Sequence, residues 1–118
     1  MRIMSWNCRG LGKSSAVQQC KKKALDFKPD FLFLIETRLA SGKGKEVWEK
    51  CGFSEGWEVS RVGLSGELIL AWLPRQDLRV VFDSQNLIHV NLLDDRGSPL
   101  SITFVYGHLD HSKRGVVW

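Results

Sequence analysis

Arg2-Ile3-Met4-Ser5-Trp6-Asn7-Cys8-Arg9-Gly10-Leu11-Gly12 opens as a short strand pattern and closes in a glycine-punctuated turn. Ile3 to Asn7 reads as the first strand, and Gly10 and Gly12 supply the backbone freedom for the turn after it. Asn7, a polar carboxamide, stands where the strand gives out. A second stretch of the same kind is Phe31-Leu32-Phe33-Leu34-Ile35-Glu36-Thr37, an apolar run that ends on a carboxylate. In layered α/β folds chemistry gathers at the carboxyl ends of strands, where loops converge on a rigid frame. Asn7 and Glu36, each at such an exit, are the leading candidate pair.

Between them, Ser14 or Ser15 is expected to cap a helix running to about Phe27. Val17, Cys20, Ala24 and Phe27 fall at the three-four spacing of one buried stripe. Lys21, Lys22 and Lys23 fall on the outer arc and read as a solvated face. Pro29-Asp30 stops the helix. The continuous apolar run Phe31 to Ile35 is the mark of a strand covered on both faces. Lys43 to Cys51 reads as a short helix with Val47 and Trp48 inward. Strands are then expected at Trp57 to Val62, Glu67 to Leu73, Leu78 to Phe82, Leu87 to Leu93 and Leu100 to Tyr106. The fourth of these alternates cleanly, Ile88, Val90 and Leu92 against His89 and Asn91. Asp94-Asp95-Arg96-Gly97-Ser98-Pro99 is dense turn chemistry. On the last strand Ile102, Phe104 and Tyr106 share a face.

The order strand, helix, strand, helix, then a meander of strands predicts an α/β layered architecture with a mixed sheet, a crossover helix joining the first two strands. Two short helices cannot cover both faces of so apolar a sheet, so the sequence reads as cut short. The corresponding stability expectation is a large bare apolar face, with aggregation or molten behaviour of the isolated chain.

The 118 residues suffice for one small domain and not two. Seventeen basic against thirteen acidic residues give a net charge of +4, which permits a polyanionic partner without demanding one. Cys8, Cys20 and Cys51 are three with no Cys-x-x-Cys pair, which argues for reduced thiols and against a zinc site or a disulfide framework. No signal-peptide pattern and no apolar run of bilayer length is visible, so the expectation is an intracellular protein, the nucleus included, with no membrane partner.

Several segments, in order, resemble the endonuclease/exonuclease/phosphatase family, the deoxyribonuclease-I-like fold. They are Ser5 to Gly12, Lys28-Pro29-Asp30 to Thr37, Arg61-Val62-Gly63-Leu64-Ser65-Gly66 leading to Trp72, Val105-Tyr106-Gly107-His108, and Lys113-Arg114 to Trp118. The resemblance is to the endonuclease domain of plant non-LTR retrotransposons. It implies part of a two-sheet α/β sandwich hydrolysing phosphodiester or phosphomonoester bonds with Mg²⁺, and DNA as the partner of the parent domain. It assigns Glu36 as the metal ligand, Asn7 as a hydrogen-bonding group near the nucleophile or its orienting acid, and Tyr106 as a contact to the scissile phosphate. A single glutamate suits Mg²⁺, which takes one or two carboxylates plus waters and substrate phosphate.

The departures matter as much. Arg9 stands where some relatives carry an acid, Glu67 where a second glycine follows Gly66, and Leu109 where a proline is expected. The family's Asp-x-Asn does not occur anywhere in the chain. Asp110-His111 imitates the terminal catalytic pair in the wrong part of the chain and reads as a polar loop; His89 and His108 read as non-catalytic. With general base and nucleophile positioning missing, a loss of roughly 10²–10⁴-fold or more is expected. The leading expectation is therefore the amino-terminal half of an endonuclease domain, spanning 1–118 and inactive alone. Two alternatives stand beside it. One is a nuclease completed by a missing second half. The other is a non-enzymatic nucleic-acid-binding module using Lys21 to Lys23, Lys43, Lys45, Arg75, Lys113 and Arg114.

Overall fold

Ile3–Asn7 (β1) and Phe31–Leu39 (β2) run side by side and parallel, Ile3 opposite Phe31 and Asn7 opposite Ile35. The computed structural model describes residues 1–8, 10–11, 13–39, 42–60 and 66–106, with the strand backbone only at 66 and 67. The expected features at Arg9, Arg61 to Ser65, Gly107 to Asp110, His111, Lys113, Arg114 and Trp118, and at the Glu67 side chain, lie outside the described residues.

Helix α1 (Ser14–Phe27) makes the crossover. Lys13, not a serine, holds the N-cap position, with extended φ and ψ of −96° and 137° and no side-chain cap bond. Its carbonyl accepts from the N–H groups of Ala16 and Val17 (3.1 and 3.3 Å), which starts the helix one residue early and draws both serines into it. Lys28 ends it in a left-handed conformation (φ 52°), its N–H donating to the Ala24 carbonyl at 2.8 Å, and Pro29 forbids continuation. Val17, Cys20 and Ala24 form the buried stripe as expected. Phe27 does not join it: the ring is 39% exposed, under the Arg2 guanidinium at 4.3 Å from its centroid.

Helix α2 (Gly44–Lys50) buries Val47 and Trp48 as expected. Its amino end is capped from a distance: the Glu58 carboxylate accepts from the N–H groups of Gly42 (2.8 Å) and Gly44 (2.6 Å). The approach is so close that a Cβ on Gly44 would fall 2.4 Å from Glu58 Oε1, so a side chain there would displace the capping carboxylate.

Strands β3 (Glu55–Val59) and β4 (Gly66–Trp72) complete the first sheet in the order β1-β2-β4-β3, every pairing after the first being antiparallel. Strands β5 (Leu78–Asp83), β6 (Leu87–Leu93) and β7 (Pro99–Val105) form a separate antiparallel sheet in chain order. The meander is thus divided, and this corrects the expectation of a bare face. On β2 and β4, Leu32, Leu34, Ile69 and Ala71 meet the helices. Phe31, Phe33, Leu68 and Leu70 meet Ile88, Val90, Leu92 and Phe104 of the second sheet. The continuous apolar runs follow from this: a strand between two layers needs apolar residues at odd and even positions alike.

The three-stranded sheet leaves part of the four-stranded one uncovered. Phe104 of β7 packs on Phe31 and Phe33 of β2, with ring centroids 6.3 and 5.3 Å away. At the other side Trp57 Nε1 of β3 donates to Asp83 Oδ2 of β5 at 2.7 Å. Strand β1, on the far side of β2, lies beyond this cover. Ile3, Ser5 and Asn7 share the face of Phe31, Phe33 and Ile35, and all three are exposed.

Candidate active site

Parallel pairing of β1 with β2 brings the two strand exits together, and the backbone there is tied residue by residue. Asn7 lies opposite Ile35, the neighbour of Glu36. The N–H of Cys8 donates to the Ile35 carbonyl at 2.9 Å, that of Gly10 to Glu36 at 2.8 Å, and that of Leu11 to Thr37 at 2.8 Å. Gly10 has a φ of 104°, which a side chain would strain, and a Cβ there would meet Arg38 Cδ at 3.8 Å.

Strand β2 runs four residues further than its apolar run, and the extension is irregular. Register shifts between Ile35 and Leu39, and Glu36 and Arg38 both take left-handed φ values, 54° and 50°. Thr37 between them is fully buried. A left-handed conformation costs an L-residue about 1–2 kcal/mol, and such strain gathers where surrounding structure holds a functional group in place. Here it accompanies the carboxylate.

Tyr106 follows β7 directly. Its N–H donates to the Asn86 carbonyl at 2.7 Å, and Asn86 Nδ2 donates to its carbonyl at 3.4 Å, so the β5–β6 turn holds its backbone. Its ring packs on the core between the sheets. The hydroxyl donates to Glu36 Oε1 at 2.7 Å across seventy residues of sequence. Glu36 and Tyr106 therefore meet in the crease between the sheets, and Asn7 is exposed on the uncovered lip beside it.

Asn86 and Thr37 were not legible as site residues. Asn86 lies in an ordinary turn sequence, and Thr37 reads as a routine strand residue until its burial is seen. Cys8, half-buried next to Asn7, is held in its thiol form: burial pushes it up to about 12, with Cys51 and Glu36 adding to the effect. His89 lies on β6 among the residues that alternate with the buried Ile88 and Val90. Its Nδ1 lies 2.7 Å from Thr103 Oγ1 on the outer face of the second sheet.

Glu36 offers hard carboxylate oxygen, the donor chemistry that suits Mg²⁺. No cluster of three or more His, Cys, Asp or Glu side chains occurs among the described residues. The fit is thus right in kind and small in number, which predicts weak binding by these residues alone. Among the described residues no helix is long and apolar enough to cross a membrane.

No family model and no curated protein sequence matches the chain. Solved structures do. The endonuclease domain of TRAS1, a telomere-specific non-LTR retrotransposon, superposes with a TM-score of 0.66 at 14% identity, over 98% of this chain and 49% of that one. The AP endonuclease LMAP from Leishmania major gives 0.65 at 17% identity, over 91% of this chain and 40% of that one. TDP2 from Caenorhabditis elegans gives 0.62 at 16% identity, over 98% and 37%. The chain spans about half, or less, of the length of these structures. Its two packed sheets and helical layer have the fold of the endonuclease/exonuclease/phosphatase superfamily.

Proposed function

We propose that this chain carries the first part of a Mg²⁺-dependent phosphodiesterase site of the retrotransposon-endonuclease kind, acting on DNA, and that it has no turnover by itself. The observation that carries the reading is the Tyr106–Glu36 hydrogen bond of 2.7 Å, which joins the strand exits of two sheets into one polar crease. The neighbours named above, a retrotransposon endonuclease domain and an AP endonuclease among them, support nucleic acid as the substrate class.

In this reading Glu36 holds the metal and Tyr106 orients the carboxylate through its hydroxyl. When bound, Mg²⁺ polarises the phosphoryl group and offsets charge on the leaving oxygen. Tyr106 turns its hydroxyl from Glu36 to a phosphate oxygen as substrate arrives. Asn7, exposed on the uncovered lip, supplies a carboxamide that donates to or accepts from the attacking side. The strained backbone at Glu36 fixes the carboxylate before substrate binds, so less ordering remains to be done in the reaction. Exposed Lys21, Lys22 and Lys23 on α1 add a diffuse attraction for a polyanion.

A supercoiled-plasmid nicking assay with Mg²⁺ tests the absence of turnover. The expected result is no nicking above the buffer control at micromolar chain. Nicking that is abolished by chelation and by Glu36→Ala would make the chain a competent enzyme and overturn the partial-site reading.

A further inference from the structure

Two of the three cysteines are buried against each other on the side of the first sheet away from the crease. Cys20 lies midway along α1 and is fully buried; Cys51 occupies the C-cap of α2 and is 4% exposed. Their Sγ atoms are 3.5 Å apart and hydrogen-bonded. We propose that Cys20 and Cys51 form an oxidisable dithiol whose disulfide staples α1 to the end of α2.

A disulfide needs its sulfurs at about 2.05 Å, so closure asks for a movement of roughly 1.5 Å. The fold can supply it at Cys51. That residue has already left the helix (φ −84°, ψ 2°), and Gly52 beyond it holds a φ of 93°, so no regular helical turn has to deform. The pair also ionises asymmetrically. The hydrogen bond between the two sulfurs holds the Cys51 thiol below its usual range, while that same bond and burial push Cys20 up.

The chemistry balances with a diazenedicarboxamide such as diamide as oxidant. The Cys51 thiolate adds to the N=N bond, and a proton reaches the other nitrogen. The Cys20 thiolate then attacks the Cys51 sulfur, the S–S bond forms, the S–N bond breaks, and the nitrogen leaves protonated as the hydrazine. Two electrons and two protons pass from the dithiol to the oxidant. The consequence reaches the strand exits, because α1 follows the exit of β1 and α2 follows that of β2. A staple between the helices restrains both segments that lead away from Asn7 and Glu36.

The test treats the folded, reduced wild-type chain with diamide, then denatures it in an alkylating reagent and counts modified thiols by mass spectrometry. The expected result is a fall from three alkylated cysteines to one, Cys8. Proteolytic peptides containing Cys20 and Cys51 should be joined, and dithiothreitol should restore all three. Cys8→Ser should fall to none, and Cys51→Ser should keep its two remaining thiols. The thermal midpoint of the oxidised wild-type chain should rise by on the order of 10 °C. Three alkylated cysteines after oxidation, a bridge involving Cys8, or bridges only between chains would each overturn the proposal. The wild-type peptide map decides even where a serine variant fails to fold.

Discussion

Glu36 and Arg38 hold left-handed backbone on either side of a buried threonine, where glycine would sit without cost. Arg38→Gly is therefore expected to raise unfolding free energy by up to about 1 kcal/mol, and Arg38→Val to lower it by at least as much, because β-branching is least tolerant of positive φ. Urea denaturation midpoints of the two variants check the signs. A second residue-scale expectation concerns acid. The Arg2 backbone N–H, donating to Asp30 Oδ2 at 2.8 Å, and then the Arg75 guanidinium hold the Asp30 carboxyl below the usual carboxylate range. With the folded pKa depressed, the stabilisation is complete above the unfolded value of about 4 and is lost as pH falls through the folded one. Asp30→Asn should flatten stability against pH on that acid limb and leave its slope near neutrality unchanged, as urea midpoints across the acid range would show. Glu36 was legible in the sequence because an apolar run stops on it. The family resemblance gave Glu36 and Tyr106 separate roles, and their hydrogen bond was not legible, since nothing local links residues seventy apart.

Among the elements, α2 depends most on glycine. A Cβ on Gly56 of β3 would fall 2.5 Å from the Trp48 ring, whose flat face lies directly on the strand backbone. The indole is buried and cannot give way without disturbing Val47 and Cys51 beside it. Gly56→Ala should destabilise the fold by about 1–3 kcal/mol through overpacking, read as a lowered thermal midpoint. Strands β1 and β6 were legible to the residue, because a turn signal bounds each and β6 alternates without interruption. The extension of β2 through Thr37, Arg38 and Leu39 was not, since its irregular register follows no periodicity. Phe27 was misread for a related reason. Helical spacing puts it on the stripe, but it falls in the last turn, where Arg2 rather than the core meets it.

For the whole molecule, the layer count could be read from composition but the assignment of strands to layers could not. Apolar runs at Phe31 to Leu34 and Leu68 to Ala71 require cover on both faces, and that requirement is met. What covers the second face is the chain's own β5–β7 sheet, a pairing choice fixed by contacts remote in sequence: β4 pairs with β2 and β3, not with β5. The expectation of a bare face falls with that finding. The uncovered part is narrower, the strip Ile3, Ser5 and Asn7 beyond the second sheet. It puts Asn7 at the surface beside the Glu36–Tyr106 crease. Capture of a divalent ion at that crease is most directly read by NMR with Mn²⁺ as the paramagnetic stand-in for Mg²⁺. Resonances of Glu36, Asn7 and Tyr106 should broaden first, at millimolar metal, and Glu36→Gln should abolish the selectivity. Broadening spread evenly over the surface carboxylates, and unchanged by that substitution, would contradict a metal site at the joined strand exits.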